Sequence, residues 1–327
     1  MKKLVLLFVC IGILMSFLGC ARDRSDRVEL MISHILSTTE DKHISLVEMA
    51  QRLYERSNGT FVAHVFPNAE IGGHSDNLAQ MVRGANVMGI MSTDFLAPYV
   101  PDFAILDGPF LFNDHTEFAK IQDSEWFADA SRRLYERGLK LLSIRWYFGA
   151  RHIASRIPIN SPDDLVGLRF RSAPSPGRVL MTSLMGASPI QMSWPETYSA
   201  LQQGIVEATE APLSTLFGSR IHEVCPHITL TGHIHSIFSV LVSVSWFNSL
   251  SPEHQRLLLE EIDITEKILN ERTVNSEARW REMLESEGAI INDRIDREAF
   301  RRVTAPFYTE FPEWTPGLYN TIRGILQ

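Results

Sequence analysis

The stretch from Trp146 to Thr215 constrains the fold most, because helix starts and strand candidates alternate along it. Ser161-Pro162, Ser175-Pro176 and the run from Ser193 to Glu196 each predict a helix N-terminus, since serine caps a helix and proline fits its first turn. Apolar or alternating runs between them predict short strands at 168–171, 188–192 and 205–206. This order of elements predicts an α/β fold with a mostly parallel sheet and helices on its faces.

Polar and aromatic residues gather at the predicted carboxyl ends of these strands, where ligands bind in such sheets. Arg171 ends one strand candidate, Trp194 follows the next, and Glu210 follows the third. An arginine at this edge can hold a carboxylate through two parallel hydrogen bonds. From the residues alone, Arg171 could equally pair with a structural aspartate or glutamate.

The N-terminal half repeats the alternation, with predicted strands at 28–32, 61–66 and 87–91 and predicted helices at 41–56 and 75–83. A second series of this kind indicates a second sheet, and a chain of this length is expected to form two lobes. His34 and Ser92 lie at the ends of strands in this series, so they are candidate site residues that would face the other lobe across a cleft. His34 could instead be a structural histidine.

Several longer elements are also predicted. The helix at 41–56 is amphipathic, with Ile44, Val47, Leu53 and Tyr54 among its apolar positions. Further elements are a helix over 116–138, a strand over 139–144 and a strand over 238–246. Ser251-Pro252-Glu253 opens a helix that runs to about residue 286, roughly 50 Å at 1.5 Å per residue, which is long enough to bridge two lobes. Movement of the lobes predicts hinges near 145–149 and 235–238.

The central stretch resembles the solute-binding proteins of TRAP transporters, the tripartite ATP-independent periplasmic transporters. That family has G-x-R, then a D-L-x-G-L-K-x-R segment, then G-A-x-P followed by M-x-[FW]-x-E-x-Y-x-A-L-Q-x-G. The matching segments of this chain are Gly149-Ala150-Arg151, Asp164-Leu165-Val166-Gly167-Leu168-Arg169-Phe170-Arg171 and the run from Gly186 to Gly204. The likeness extends, more weakly, over nearly the whole chain after residue 19.

The resemblance implies a two-lobed fold like that of periplasmic binding proteins, with a ligand cleft between the lobes and a long bridging helix. It implies that Arg171 forms the main salt bridge to a ligand carboxylate, that Arg151 assists, and that Trp194 packs on the ligand. The family's Glu-Asn-Pro is Glu210-Ala211-Pro212 here, and alanine cannot hydrogen-bond through its side chain. The contacts to the carboxylate are therefore altered at Ala211.

The first 19 residues predict a lipoprotein signal peptide. Lys2 and Lys3 precede an apolar run that is too short to span a membrane, and Gly19 stands before Cys20. Cys20 would then carry the lipid, and residues 20–27 would form a tether. An ordinary signal peptide with a chance cysteine is the alternative. The expected location is extracytoplasmic, with the chain anchored to a membrane through Cys20.

Charge and cysteine usage exclude some classes of protein. The formal net charge of −8 argues against nucleic-acid binding. Without Cys10 and Cys20, only Cys225 remains, so no internal disulfide can form. His233 and His235 would lie on one face of a strand, as zinc ligands can, but no third ligand has a convincing spacing. We therefore expect no metal and no cofactor.

The sequence thus predicts a lipid-tethered solute-binding protein that captures an organic acid or a sugar acid. Lobe 1 is expected to hold residues 28–147 and about 237–275, and lobe 2 residues 148–236 and about 276–327. By the resemblance, its partners are the small and large membrane subunits of a TRAP permease. The alternatives are a module that feeds a sensor and an exported enzyme using Glu207, Glu210 or His233, although no hydrolase motif is present.

Overall fold

A computed structural model describes residues 27–327. The predicted signal peptide, Cys20 and most of the 20–27 tether lie outside the described residues. None of the helices within 27–327 has the length and apolar composition needed to cross a membrane.

The described strands form one mixed sheet. Its order is β2-β1-β3-β8-β4-β7-β5-β6, with β9 also paired to β8. The bounds are β1 Val28–Ser33, β2 Phe61–Phe66, β3 Val87–Met91, β4 Leu139–Ser155, β5 Arg169–Ser172, β6 Ser188–Gln191, β7 Ala208–Ala211, β8 His227–Ser243 and β9 Ile290–Asn292.

The two ends of the sheet are parallel, which confirms the two β-α-β series. Both series belong to one sheet, so the expectation of a second sheet is wrong, because β4 and β8 join the two ends. At one end β1 pairs with β2 and β3, and at the other β5 pairs with β6 and β7, all in parallel. Between them, β4 and β8 pair antiparallel along most of their 17 residues each. The molecule is therefore two-lobed, with β4 and β8 as shared central strands.

The two shared strands are longer than the sequence predicts. The expected strand at 139–144 is only the first part of β4. The expected strand at 238–246 is the last part of β8, which ends at Ser243 because a short helix begins at Val244. Pairing of β4 with β8 shifts register at four places, two of them between Ser143 and Gly149. Bulges of this kind bend a strand locally.

The helices lie on both faces of the sheet. Their bounds are α1 Asp41–Arg56, α2 His74–Val82, α3 Phe118–Gln122, α4 Glu125–Glu136, α5 Pro176–Leu184, α6 Thr197–Gln202, α7 Leu213–Gly218, α8 Val244–Ser249, α9 Pro252–Ser286, α10 Arg297–Thr304 and α11 Leu318–Leu326. Short 3-10 turns at 115–117 and 194–196 precede α3 and α6, and the short helix predicted after Ser161 is itself a 3-10 turn at 162–165.

Helix α1 has the predicted bounds, but of its four predicted apolar positions only Leu53 is buried. Leu46, Met49 and Leu53, spaced three and four residues apart, are at most 1% exposed and pack on the sheet. Ile44, Val47 and Tyr54 lie on the solvent side, each more than 40% exposed. Truncating one of the buried side chains to alanine would destabilise the fold by roughly 2–5 kcal/mol.

Two other predictions in this part of the fold are wrong. The helix expected over 116–138 is interrupted at Asp123, because the Ser124 hydroxyl accepts a hydrogen bond from the amide of Phe127 and caps a new helix, α4. The strand expected at 205–206 is a turn, in which both amides donate to the carbonyl of Ala200. The third strand of this series is instead β7, so Glu210 and Ala211 lie within a strand and do not follow it.

Helix α9 bridges the two lobes, as its length predicts. The hydroxyl of Ser251 caps it by accepting from the amide of His254. Its N-terminal part packs on α1, where Arg52 donates to the buried Glu261 at 2.7 Å. Its C-terminal part packs on the other lobe, where the Trp280 ring lies 5.4 Å from that of Phe217 in α7.

Candidate functional site

A cavity of about 320 Å³ lies between the two lobes. Arg171 on β5, Trp194 after β6 and Ala211 on β7 reach it from one lobe. Ser92, just after β3, reaches it from the other, and the shared strands add Phe148, Arg151 and Phe238. These side chains meet there because the carboxyl ends of the parallel strands of each lobe point toward the cleft.

Arg171 is a buried cation without an acidic partner among the described residues. Its side chain is 3% exposed, and Nε and Nη2 donate to the carbonyl of Met192 at 3.1 and 2.9 Å. No salt bridge joins it to a carboxylate within residues 27–327, so the alternative of a structural ion pair is not found there. Burial lowers the pKa of Arg171 to about 9, which still leaves the guanidinium charged at neutral pH.

Arg151, in contrast, forms an ion pair with Glu210. Nη2 of Arg151 donates to Oε1 of Glu210 at 2.8 Å and to its backbone carbonyl at 3.0 Å, and Nε donates to Oε2. Burial alone would raise the pKa of Glu210, but Arg151 and Arg178 hold it well below its ordinary value. Arg151 lines the cavity, whereas Glu210 does not appear in the lining and lies behind it.

Trp194 is held as a platform under Arg171. The guanidinium carbon lies 5.1 Å from the centre of the indole ring, which is within the range of a cation–π contact. The indole Nε1 donates to the hydroxyl of Ser219 at 2.9 Å, which fixes the ring. An apolar wall thus adjoins the unpaired charge.

The two candidates from the other lobe differ in position. Ser92 lines the cavity and is 8% exposed. His34 does not line it, although the next residues, Ile35 and Leu36, do. The His34 ring accepts from the amide of Leu36 at 3.1 Å and lies 3.1 Å from His43, and burial lowers its pKa to about 3.

Sequence reasoning missed Arg178 and His74, which also line the cavity. Nη2 of Arg178 donates to Oδ1 of Asp107 at 2.7 Å, and Nη1 lies 3.7 Å from Oε2 of Glu210. A cation in the first turn of α5 opposes the helix dipole and was an available signal that acidic groups lie nearby. No hydrogen bond of the buried His74 ring to residues 27–327 is found, and burial lowers its pKa to about 4.

His233 is buried against Thr231 and Glu210. It is fully buried, with Nδ1 lying 2.7 Å from the hydroxyl of Thr231 and Nε2 3.5 Å from Glu210. Burial lowers its pKa to about 4, so it is neutral at neutral pH. In the part of the chain that the structure describes, no cluster of three His, Cys, Asp or Glu side chains could hold a metal ion.

Comparisons with known proteins agree on one family. The model of the family described as "DctP: Bacterial extracellular solute-binding protein, family 7" matches residues 32–313. The chain is 28% identical over 273 residues to the 2,3-diketo-L-gulonate-binding periplasmic protein of Escherichia coli (strain K12), covering 83% of each protein.

Solved structures give the same result. A TRAP periplasmic solute binding protein from Ochrobacterium anthropi, with bound L-fuconate, has a TM-score of 0.89 and 28% identity, covering 92% of this chain and 100% of that one. Another from Fusobacterium nucleatum, with bound sn-glycerol-3-phosphate, has a TM-score of 0.88 and 29% identity, covering 91% and 97%. Both proteins hold small anions.

Proposed function

This chain belongs to family 7 of the bacterial extracellular solute-binding proteins, and we propose that it captures a small molecule bearing a carboxylate for uptake by a membrane permease. The observation that carries the proposal is Arg171, a buried guanidinium at the cavity wall that no acidic side chain of residues 27–327 neutralises. A buried charge without a partner is costly, and a ligand carboxylate would supply the partner.

The other residues take graded roles in this proposal. Trp194 packs against the ligand next to the carboxylate, and Ser92 offers a hydroxyl from the opposite lobe. Arg151 faces the ligand while Glu210 fixes its orientation from behind. His34 acts indirectly, through the backbone of Leu36, whose amide it holds.

Capture would close the two lobes around the ligand. We place the lobes at 28–147 with about 237–275, and at 148–236 with about 276–327. The hinges lie near 145–149 and 235–238, and the register shifts in β4 near residues 143–149 support the first of them. Closure removes water from the ion pair at Arg171 and strengthens it.

We further propose that Cys20 carries a lipid that anchors the protein at the outer side of a membrane. There it would pass its ligand to the small and large membrane subunits of a TRAP permease. Binding would be reversible and without turnover, so the protein acts as a receptor and not as an enzyme.

Titration calorimetry of the purified protein against a panel of organic acids tests this proposal. We expect at least one acid to bind, and Arg171→Ala to abolish that binding. Arg169→Ala is the matched control, because Arg169 lies on the same strand but its side chain is 50% exposed. Unchanged affinity in Arg171→Ala, or chemical conversion of the bound acid, would contradict the proposal.

A further inference from the structure

The ion pairs around the cavity leave one arginine without a carboxylate partner. Three buried arginines, Arg151, Arg171 and Arg178, lie at the cavity wall. Arg151 is neutralised by Glu210, and Arg178 by Asp107 at 2.7 Å. Of these three, Arg171 alone forms no salt bridge to a carboxylate within residues 27–327, so one ligand carboxylate would complete the pairing.

A second negative group would meet acidic residues instead of free cations. Asp107 accepts from the amide of Asp94 at 3.0 Å, and this brings a third buried carboxyl group close to Arg178. Burial, and then the proximity of Asp107, raise the pKa of Asp94 to about 6. The surroundings of Arg178 therefore already carry excess negative potential, which disfavours a dianion.

The rest of the cavity wall is largely apolar. The rings of Phe148 and Phe238 stack with their centres 4.0 Å apart and 21° between their planes, and both residues are at most 5% exposed. Phe95 and Leu36 add apolar surface from the other lobe, and Trp194 adds it next to Arg171. A ligand whose body contacts these groups is stabilised by burial of its apolar surface and not by hydrogen bonds.

Polar side chains with unused hydrogen-bonding capacity are few. Nη1 of Arg178 has no hydrogen-bond partner within residues 27–327. The side chains of His74 and Ser92 make no hydrogen bond to those residues either, and both are 8% exposed. The hydroxyl of Thr215 is already donated to Glu40 at 2.8 Å, and that of Ser193 to Glu196. Each ligand hydroxyl buried without a partner weakens binding roughly 5- to 150-fold.

We infer that the cavity selects a monocarboxylate with an apolar body, in preference to dicarboxylates and polyhydroxylated sugar acids; this inference rests on the proposed function. The carboxylate pairs with Arg171 over the face of Trp194. The body lies against Phe148, Phe238 and Phe95. His74 and Ser92 serve one or two further polar substituents, and Ala211 contributes only a methyl group where an amide would favour a polar ligand.

Three six-carbon acids and one aromatic acid test the inference by calorimetry on the purified protein. Hexanoate differs from D-gluconate only in lacking five hydroxyls, and from adipate only in having a methyl group in place of the second carboxylate. We expect hexanoate or 3-phenylpropanoate to bind at least 10-fold more tightly than D-gluconate and adipate. Equal or tighter binding of D-gluconate or adipate overturns the inference.

The Arg171→Ala variant separates failure of the inference from failure of the proposed function. If D-gluconate or adipate binds best and Arg171→Ala abolishes that binding, the carboxylate receptor stands and only the ligand class is wrong. If no acid binds, or binding survives Arg171→Ala, the proposed function falls and the inference falls with it.

A second variant tests the apolar wall directly. Phe95 is half-buried, its ring contacts His74 at a centroid distance of 4.6 Å, and Phe95→Asn replaces it with a smaller polar group. The preference for hexanoate over D-gluconate is expected to fall at least fivefold in this variant. An unchanged preference, with a melting temperature near that of the parent protein, would contradict the role of the wall.

Discussion

The two sides of the cavity have opposite characters. The cationic wall, defined by Arg151, Arg171 and Arg178, is built by β4, β5 and α5. The opposing wall, from the strand ends and α2 of the other lobe, brings Leu36, His74, Ser92 and Phe95 and no arginine or lysine. One wall supplies charge, and the other supplies shape and a few polar atoms.

Within the cationic wall, the state of pairing matters more than residue type. Arg151 and Arg171 are both buried at the same cavity, yet Arg151 makes a bidentate ion pair while Arg171 contacts a backbone carbonyl. A paired cation holds the protein together, and an unpaired one can hold a ligand. The following predictions test that distinction.

The largest effect is expected for Arg171→Met. Ligand affinity should fall by roughly 3–5 kcal/mol, because the ligand carboxylate would be buried without a partner. The melting temperature of the ligand-free protein should stay the same or rise, because an unpaired buried cation is removed. Calorimetry and thermal unfolding measure the two effects, and a large loss of stability would show that Arg171 is a structural residue.

Glu210→Ala, unlike Arg171→Met, should reduce the stability of the ligand-free protein. Removing this carboxylate leaves Arg151 without its ion pair and weakens the neutralisation of Arg178, so unfolding free energy should fall by roughly 3–5 kcal/mol. Urea unfolding measures the loss. The double variant Arg151→Met/Glu210→Leu should recover part of the lost stability. If Glu210→Ala were as stable as the parent protein, the Arg151–Glu210 ion pair would not contribute to stability.

Acidification should destabilise the fold through three buried histidines. Burial lowers the pKa of His34 to about 3 and those of His74 and His233 to about 4, whereas in the unfolded chain histidine titrates near 6.5. The unfolded state therefore binds more protons below pH 6.5, and stability falls as pH drops from 7 toward 4, by about 2 kcal/mol per histidine at pH 5.

Asp94 opposes this trend, because its raised pKa of about 6 makes the folded state take up a proton first. The three histidines outweigh it. Urea unfolding at pH 7, 6 and 5 measures the balance, and stability that is flat or rising over this range would contradict the burial of neutral histidines.

The smallest effect is expected for Ser92→Ala on the opposing wall. Loss of one neutral hydrogen bond should weaken ligand binding by about 0.5–1.5 kcal/mol and leave the fold intact. Ser75→Ala is the matched control, since Ser75 is an exposed residue at the rim of the same cavity. An effect as large as that of Arg171→Met would mean that the binding free energy is not concentrated on the cationic wall.

Local signals predicted much of the fold. The strands at 61–66 and 87–91 and the helices at 41–56 and 252–286 have the expected bounds or nearly so, because periodicity, serine caps and glycine stops agree there. The burial of Arg171 and Trp194 at one cavity also agrees with their predicted place at strand ends. Here local preference and tertiary structure point the same way.

The misses arise where tertiary contacts decide. The buried face of α1 depends on the sheet and α9 beneath it, and an apolar pattern with residues on both faces could not select Leu46 over Ile44. Pairing of Arg178 with Asp107 joins residues 71 positions apart. Arg178 and His74 reach the cavity only because separate parts of the chain converge, which no local spacing reveals.

The shared strands have a mechanical consequence. Strands β4 and β8 remain hydrogen-bonded to each other while passing from one lobe to the other, and α9 packs on both lobes. The lobes are therefore not joined by a flexible linker. Opening therefore has to bend the β4–β8 pair at its bulges and the 35-residue helix α9, and both elements resist bending. Ligand binding therefore works against, or with, this resistance to bending. The size of the resistance depends on residues far from the cavity.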